Sequence, residues 1–356
     1  MRAFKYYMKR LVIFPSVIIT VQSLNVFKRV FGALANSFFD VRKPLVVRTP
    51  EERFANLDSL GYTYKPNYVD LSIGGNKKLP RVHYIDEGPE NASETILCLH
   101  GEPSWSFLYR HMIPPLVASG YRVIAPDFIG FGKSDKFTYQ ESYSHDLHTL
   151  TLRLLIDHLK IKNSTMVCQD WGGLTGLSVV KDLPEAFSRL VIMNTGLPCG
   201  TKRLYSPQVI AGFTPFLMWR SLVELFSTQL PIRQVFLRSL IKPTQAIVDA
   251  YESPYPSALY MAGAAQWPLL VPVTANTPVA ADMKATREYL ATNWTHKSAL
   301  IMFSDRDPIT RPSKAMFEGL LPHAAKKTVV GAGHFLQEDK GEECAKNIIA
   351  FIDNKL

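Results

Sequence analysis

Between Thr95 and Asn194 short apolar runs alternate with segments of helical period, and that alternation leaves few folds open. Thr95-Ile-Leu-Cys-Leu, Arg122-Val-Ile-Ala-Pro, Thr165-Met-Val-Cys and Leu190-Val-Ile-Met-Asn read as strands buried on both faces. Between them, one helix breaks around Pro114-Pro115 and ends near Gly120. Another carries Leu147, Leu150, Leu154, Leu155 and Leu159 at helical spacing. Strand, helix, strand in succession makes a mostly parallel sheet with crossover helices. Upstream, Tyr68 to Ile73 and Arg81 to Asp86 alternate as a hairpin would, with Gly74-Gly75-Asn76 as its turn. The alternation stops after Asn194 and resumes with a helix from Val279 to Ala291, a strand from Ala299 to Phe303 and a helix near Ser313 to Leu321. The strand Thr328-Val-Val and a helix from Glu342 to Ile352 close the chain.

Residues 196–276 lack a strand pattern and are rich in Leu, Phe, Trp and Pro, so they read as short helices. An insertion placed after a strand's C-terminal end sits where a lid over a site belongs. The expected organisation is a core of residues 48–195 and 277–356, a helical cap of 196–276 and a separate segment 1–47. Of the net +9 charge, residues 1–49 hold nine Lys/Arg against the single acid Asp40, so the folded body is near neutral. A nucleic-acid-binding surface has no support in that balance. The basic start followed by uncharged Leu11 to Val21 suits a membrane anchor or an uncleaved signal, with association through residues 1–30; the absence of acids before Asp40 also suits a mitochondrial presequence. Cys98, Cys168, Cys199 and Cys344 show no metal-ligand spacing, and Cys98 and Cys168 lie inside apolar runs as buried free thiols would.

The chemistry centres on Ser164 to Leu174. The strand there breaks at Gln169-Asp170-Trp171 into Gly172-Gly173, the form of a nucleophile elbow. Its apex is Asp170, a carboxylate. Beyond later strands lie Asp305 and Asp307 in Phe303-Ser-Asp-Arg-Asp-Pro, and His334 in Gly331-Ala-Gly-His-Phe. Nucleophile, acid, histidine is the chain order of the α/β-hydrolase triad, and each falls at the C-terminal end of an expected strand. An ionised carboxylate attacks a saturated carbon without a base and leaves an ester on Asp170. His334, oriented by an acid, then deprotonates water to attack that ester. The backbone N–H groups of Trp171 and Glu102 are the expected oxyanion donors. His100 reads as a structural turn residue, and His145, His148 and His158 as surface or partly buried polar groups. Gly130-Phe-Gly-Lys lacks the third glycine of a dinucleotide fingerprint.

Together His100-Gly-Glu-Pro-Ser-Trp-Ser-Phe-Leu-Tyr-Arg, Gln169-Asp-Trp-Gly-Gly-Leu and Gly333-His-Phe-Leu-Gln-Glu-Asp resemble the haloalkane dehalogenases, in the subfamily that holds halide between two tryptophans. The likeness runs from Arg48 to the C-terminus. It implies the α/β-hydrolase fold, with a mostly parallel eight-stranded sheet and a helical cap after the sixth strand. It also implies Asp170 as nucleophile, His334 as base, Asp307 rather than Asp305 as its partner, and neither metal nor organic cofactor. Trp171 and, from Gly212-Phe-Thr-Pro-Phe-Leu-Met-Trp-Arg, Trp219 would hold the departing halide. The implied reaction turns a haloalkane and water into alcohol and halide. Epoxide hydrolysis uses the same three residues plus two lid tyrosines, for which Tyr205, Tyr251, Tyr255 and Tyr260 are available. A luciferase-like oxygenase and a membrane-tethered binding module with a vestigial site are the other readings.

Overall fold

A computed structural model describes residues 45–75, 78–201 and 207–356. Its strands are β1 (Val46–Val47), β2 (Asn67–Val69), β3 (Val82–Glu87), β4 (Thr95–Leu99), β5 (Arg122–Pro126), β6 (Lys136–Phe137), β7 (Ser164–Gln169), β8 (Phe187–Met193), β9 (Ser298–Ser304) and β10 (Ala325–Val329). Its helices are α1 (Ile113–Ala118), α2 (His145–His158), α3 (Trp171–Asp182), α4 (Pro207–Phe226), α5 (Ile232–Ser239), α6 (Gln245–Glu252), α7 (Ala262–Leu270), α8 (Pro278–Asn293), α9 (Lys314–Leu320) and α10 (Leu336–Ile352).

Eight strands form one sheet in the order β10-β9-β8-β7-β4-β5-β3-β2, with β1 and β6 paired separately. From β10 to β5 every pairing is parallel, and β3 runs against both its neighbours. The central strands are hydrophobic because both faces are covered: Ile96 to Leu99, Met166 to Cys168, Leu190 to Met193 and Leu300 to Phe303 are fully buried. Each such aliphatic side chain contributes about 1.5–3 kcal/mol of burial. Helices α1 and α10 pack on one face, and α2, α3 and α8 on the other.

Boundaries agree with the sequence reading where apolar runs are continuous and depart from it at the edges. The last strand is Ala325–Val329, earlier than Thr328-Val-Val, because an edge strand alternates exposed Lys326 and Thr328 with its inward residues. The hairpin pairs only Asn67 to Val69 with Val82 to Tyr84, then meets again at a single bridge between Ser72 and Lys78. The closing helix begins six residues early, at Leu336, and breaks its helical path at Lys340.

After β8, the sheet's sixth strand in chain order, the chain leaves the sheet through α4, α5, α6 and α7 before α8. These helices lie over the C-terminal ends of the parallel strands, where Trp219, Val235 and Pro268 wall one cavity with Asp170 and His334. Among the described residues no helix is long and apolar enough to cross a membrane. The membrane-anchor or presequence expectation falls on residues 1–30, outside the described residues, as does Tyr205.

Candidate active site

The elbow is built from backbone strain and small neighbours. Asp170 sits at φ 50, ψ −123, a conformation that costs a non-glycine residue on the order of 1–3 kcal/mol and persists only when its surroundings fix it. The Asp170 N–H donates to the Asn194 carbonyl at 3.0 Å, and the Thr195 hydroxyl donates to the Asp170 carbonyl at 2.7 Å. A side chain at Gly172 would strike the carbonyl of Leu99, and one at Gly101 would fall within 3 Å of the Asp170 side chain. Those two positions must be glycine for β4 and β7 to approach.

The Glu102 N–H donates to Asp170 Oδ1 at 2.9 Å, while Oδ2 lies 3.5 Å from His334 Nε2. Trp171 is the first residue of α3, so its N–H belongs to the turn with no intrahelical acceptor. On the other edge of the imidazole, Nδ1 lies 3.1 Å from Asp307 Oδ1. Asp307 also accepts the N–H of Ile309 at 2.8 Å, the N–H of Thr310 at 3.1 Å and the Thr310 hydroxyl. These donors fix both of its oxygens; against burial, the charge of and bond to His334, then the Thr310 hydroxyl and the Ile309 N–H, hold its carboxyl below the ordinary range. Asp305 turns away, accepting the Gly331 N–H at 2.8 Å. Burial pulls the His334 imidazole down, but the Asp307 charge and the bonds to Asp170 and Asp307 push it up to about 10.

Asp170 and His334 open into a cavity of about 330 Å³, with Asp307 buried behind the histidine. Trp171 and Trp219 line it together with Glu102, Leu174, Phe216 and Pro268. Neither the Trp171 nor the Trp219 indole N–H meets an acceptor among the described residues, so both donors are available to a guest. Among the described residues no group of three His, Cys, Asp or Glu side chains could hold a metal ion. All four cysteines are free.

Several residues of this site carried no assigned role in the sequence. Gln169, fully buried beside Asp170, places its amide nitrogen 3.1 Å from His334 Nε2 and 3.2 Å from the His334 carbonyl. Asn194 donates to the carbonyls of Gly333 and His334 and to the Ser304 hydroxyl, lacing β8, β9 and the histidine loop together. Trp267 stacks on Trp171 with centroids 5.2 Å apart and planes at 15°. Its only sequence signal is an indole amid small residues, Ala262-Gly-Ala-Ala-Gln-Trp. The quoted motif residues Arg110 and Glu338 form a buried bidentate pair at 2.5 and 2.6 Å, which the Tyr251 hydroxyl joins at 2.6 Å. Asp339 caps the Gly333 N–H at 2.8 Å and the Ile241 N–H at 3.0 Å, coupling the histidine loop to the segment after α5.

His100 is structural, as expected: its Nε2 accepts the Phe128 N–H at 3.0 Å. His145 and His148 are buried, not at the surface, because α2 presses them against the Trp171–Trp267 stack; His145 Nε2 lies 3.0 Å from Asp282.

A family model described as the alpha/beta hydrolase fold matches residues 94–341. The chain is similar to a haloalkane dehalogenase of Psychrobacter cryohalolentis, 40% identical over 310 residues that span 86% of this chain and 98% of the relative. It is equally similar to a haloalkane dehalogenase of Mycobacterium marinum, 40% identical over 309 residues, 86% of this chain and 99% of that one. Among solved structures it resembles the tetrameric haloalkane dehalogenase DpaA of Paraglaciecola agarilytica. That likeness has a TM-score of 0.77 and 33% identity, covering 86% of this chain and 98% of the other.

Proposed function

The chain belongs to the haloalkane dehalogenase family of the α/β-hydrolase fold, and we propose from that premise that it hydrolyses carbon–halogen bonds through an ester on Asp170. The observation that carries the reading is the division of labour on one carboxylate: Oδ1 is tied to the Glu102 N–H, and Oδ2 faces His334 and the open cavity. Oδ2 attacks the carbon that bears the halogen and the carbon–halogen bond breaks. The indoles of Trp171 and Trp219 donate to the halide as its charge grows, in a cavity whose lining is mostly apolar. The two-tryptophan arrangement is thus part of the proposal.

His334 then takes a proton from water, whose oxygen adds to Cγ of the ester. The oxyanion forms on Oδ1, held by the Glu102 N–H and, in this reading, the Trp171 N–H. The intermediate collapses by breaking the bond from Cγ to the alkylated oxygen, which leaves as the alcohol after His334 returns the proton. Asp307 fixes the Nδ1–H tautomer and balances the imidazolium. Residues 196–276 act as the cap that sets which substrates enter, over a core of 48–195 and 277–356.

Epoxide hydrolysis would need tyrosine hydroxyls turned into the same cavity. Tyr251 and Tyr255 spend theirs on Glu338 and on the Pro103 carbonyl, and among the described residues no tyrosine lines the cavity. The test is halide release from a brominated short alkane, together with a His334→Phe variant treated with the same substrate. One alkyl group should remain on the peptide bearing Asp170. Diol formation from a styrene-type epoxide, light from an imidazopyrazinone, or no adduct with any halide would each overturn the reading.

A further inference from the structure

The site contains a third carboxyl group for which hydrolysis, as described above, has no use. Glu102 contributes its backbone N–H to Asp170, yet its side chain is also in place: it is 5% exposed and lines the cavity beside Asp170, Trp171 and His334. Its Oε1 is buried without a hydrogen-bond partner, and among the described residues no cation pairs with the carboxyl. A carboxylate left so would be among the most costly groups in the molecule. Two anions, Asp170 and Asp307, already flank the single imidazole, so nothing nearby balances a third.

We propose that the Glu102 side chain, as a neutral carboxylic acid, seats the water that His334 deprotonates. The proposal rests on the dehalogenase reading and assigns the side chain a task separate from that of its backbone. Burial, then the Asp170 charge, hold the carboxyl well above the ordinary carboxylate range, with His334 opposing. A neutral carboxyl has both a carbonyl acceptor and a hydroxyl donor. Attack on the ester requires one water proton on His334 Nε2, a lone pair aimed at Cγ and an acceptor for the second proton. The Glu102 carboxyl oxygen other than the buried Oε1 is that acceptor, placed in the wall that Asp170 and His334 share. Glu102 exchanges no proton: water's first proton goes to His334 and then to the leaving alkoxide, and the second stays on the new carboxyl until released. Positioning of this kind governs ester hydrolysis and leaves alkylation alone, because no water takes part in the first displacement.

The experiment compares Glu102→Gln and Glu102→Leu in the full chain by rapid quench with a brominated alkane, following halide and the mass of the ester on Asp170 separately. The amide keeps shape, acceptor and donor without charge, so Glu102→Gln should hydrolyse the ester within about threefold of the native rate. Glu102→Leu should slow hydrolysis about 30- to 100-fold, accumulating ester while the halide burst stays within a few fold. A pH profile supplies a readout that packing alone does not move. The charged or titratable groups facing Glu102 are Asp170 from the elbow, His334 from the loop after β10 and Tyr255 from the segment after α6. The native enzyme should lose ester hydrolysis at alkaline pH as Glu102 ionises, and Glu102→Gln should lack that limb. The proposal is overturned if Glu102→Gln is as slow as a carboxylate-dependent step demands, or if Glu102→Leu turns over its ester at the native rate. Should Glu102→Leu not fold, the Gln variant's rate and missing alkaline limb decide alone. If the native enzyme and His334→Phe form no ester at all, the failure lies with the dehalogenase reading instead.

Discussion

In the proposed mechanism Asp307→Asn separates the two chemical steps, because the charge it removes matters to only one of them. Asp307 is 2% exposed and lies 3.1 Å from His334 Nδ1, with the remaining lone pairs taken by Ile309 and Thr310. Two unit charges at that distance interact by about 5 kcal/mol at an effective dielectric constant of about 20. That is about four decades of rate if the imidazolium of the hydrolytic step loses its partner. The asparagine also meets a frustrated set of donors. With its NH2 toward His334 it imposes the tautomer that has a proton on Nε2, and with its NH2 toward Thr310 it sets two backbone-facing donors together. Alkylation needs no proton transfer and is untouched. Mixing the variant with excess brominated alkane should therefore give a burst of about one halide per chain, followed by turnover about 10³- to 10⁴-fold below native. Intact-mass analysis after the burst should find one alkyl group per chain. A burst lost in proportion to the steady state, or ester turnover within tenfold of native, would refute the assignment of Asp307.

Three further perturbations read other parts of the structure. Trp219→Phe should weaken bromide binding about 10- to 100-fold, the worth of one hydrogen bond to a charged group, measured by quenching of the remaining indole fluorescence; unchanged affinity would remove Trp219 from the halide site. Gly101→Ala places a methyl group within 3 Å of the Asp170 side chain and should cost about 10²- to 10³-fold in kcat by parting the Glu102 N–H from Oδ1, while the far-ultraviolet spectrum stays native. Asp127 is buried and accepts His83 Nδ1 at 2.7 Å, the Ser106 N–H at 2.7 Å and the Lys133 N–H at 2.8 Å. Against the cost of burial, the charge and bond from His83 hold it down at about 2. Its folded pKa is depressed, so its contribution is present above about pH 4 and is lost as pH falls through about 2. Asp127→Asn should lower neutral-pH stability by about 3–5 kcal/mol and flatten the acid limb of urea midpoints in that window.

What the sequence made legible follows from how locally each feature is encoded. β4 and β5 coincide with continuous apolar runs because parallel central strands are buried on both faces, and no other element competes for such a run. Asp170 is legible because its strained turn needs glycines at fixed offsets, and those glycines are covalent neighbours. β10 was displaced because Lys326 and Lys327 hide a strand that its neighbour β9 supplies with hydrogen bonds. Gln169, Asn194 and Trp267 escaped for a different reason. Each acts on a residue far away in the chain, Asn194 on His334 across 140 positions, and no local pattern marks an amide that donates across strand ends. Arg110 and Glu338 were visible as motif residues, but their pairing across 228 positions is a fact of the fold.

In the proposed mechanism alkylation changes the electrostatics of its own site, and this gives a carboxylate nucleophile an advantage that a hydroxyl lacks. At rest Asp307 and Asp170 together push His334 up to about 10, which favours the imidazolium, the wrong form for a base. Esterification removes the charge on Asp170 and the bond it makes to Nε2, leaving Asp307 alone against burial. The imidazole proton is then released, and the base exists only once there is an ester to hydrolyse. A serine in the same elbow has no charge to lose and needs a neutral histidine before it can attack. The timing of the proton follows. The whole reaction yields one proton per halide, and in this site it should leave with the alkylation, because water's second proton, left on the new Asp170 carboxyl, passes to His334 as Asp170 regains its charge. In a single turnover at pH 7–8, a dye indicator should report proton release at the rate of halide release and ahead of alcohol formation. Proton release that instead keeps pace with the alcohol would mean that His334 rests neutral, and that Asp170 does not gate it.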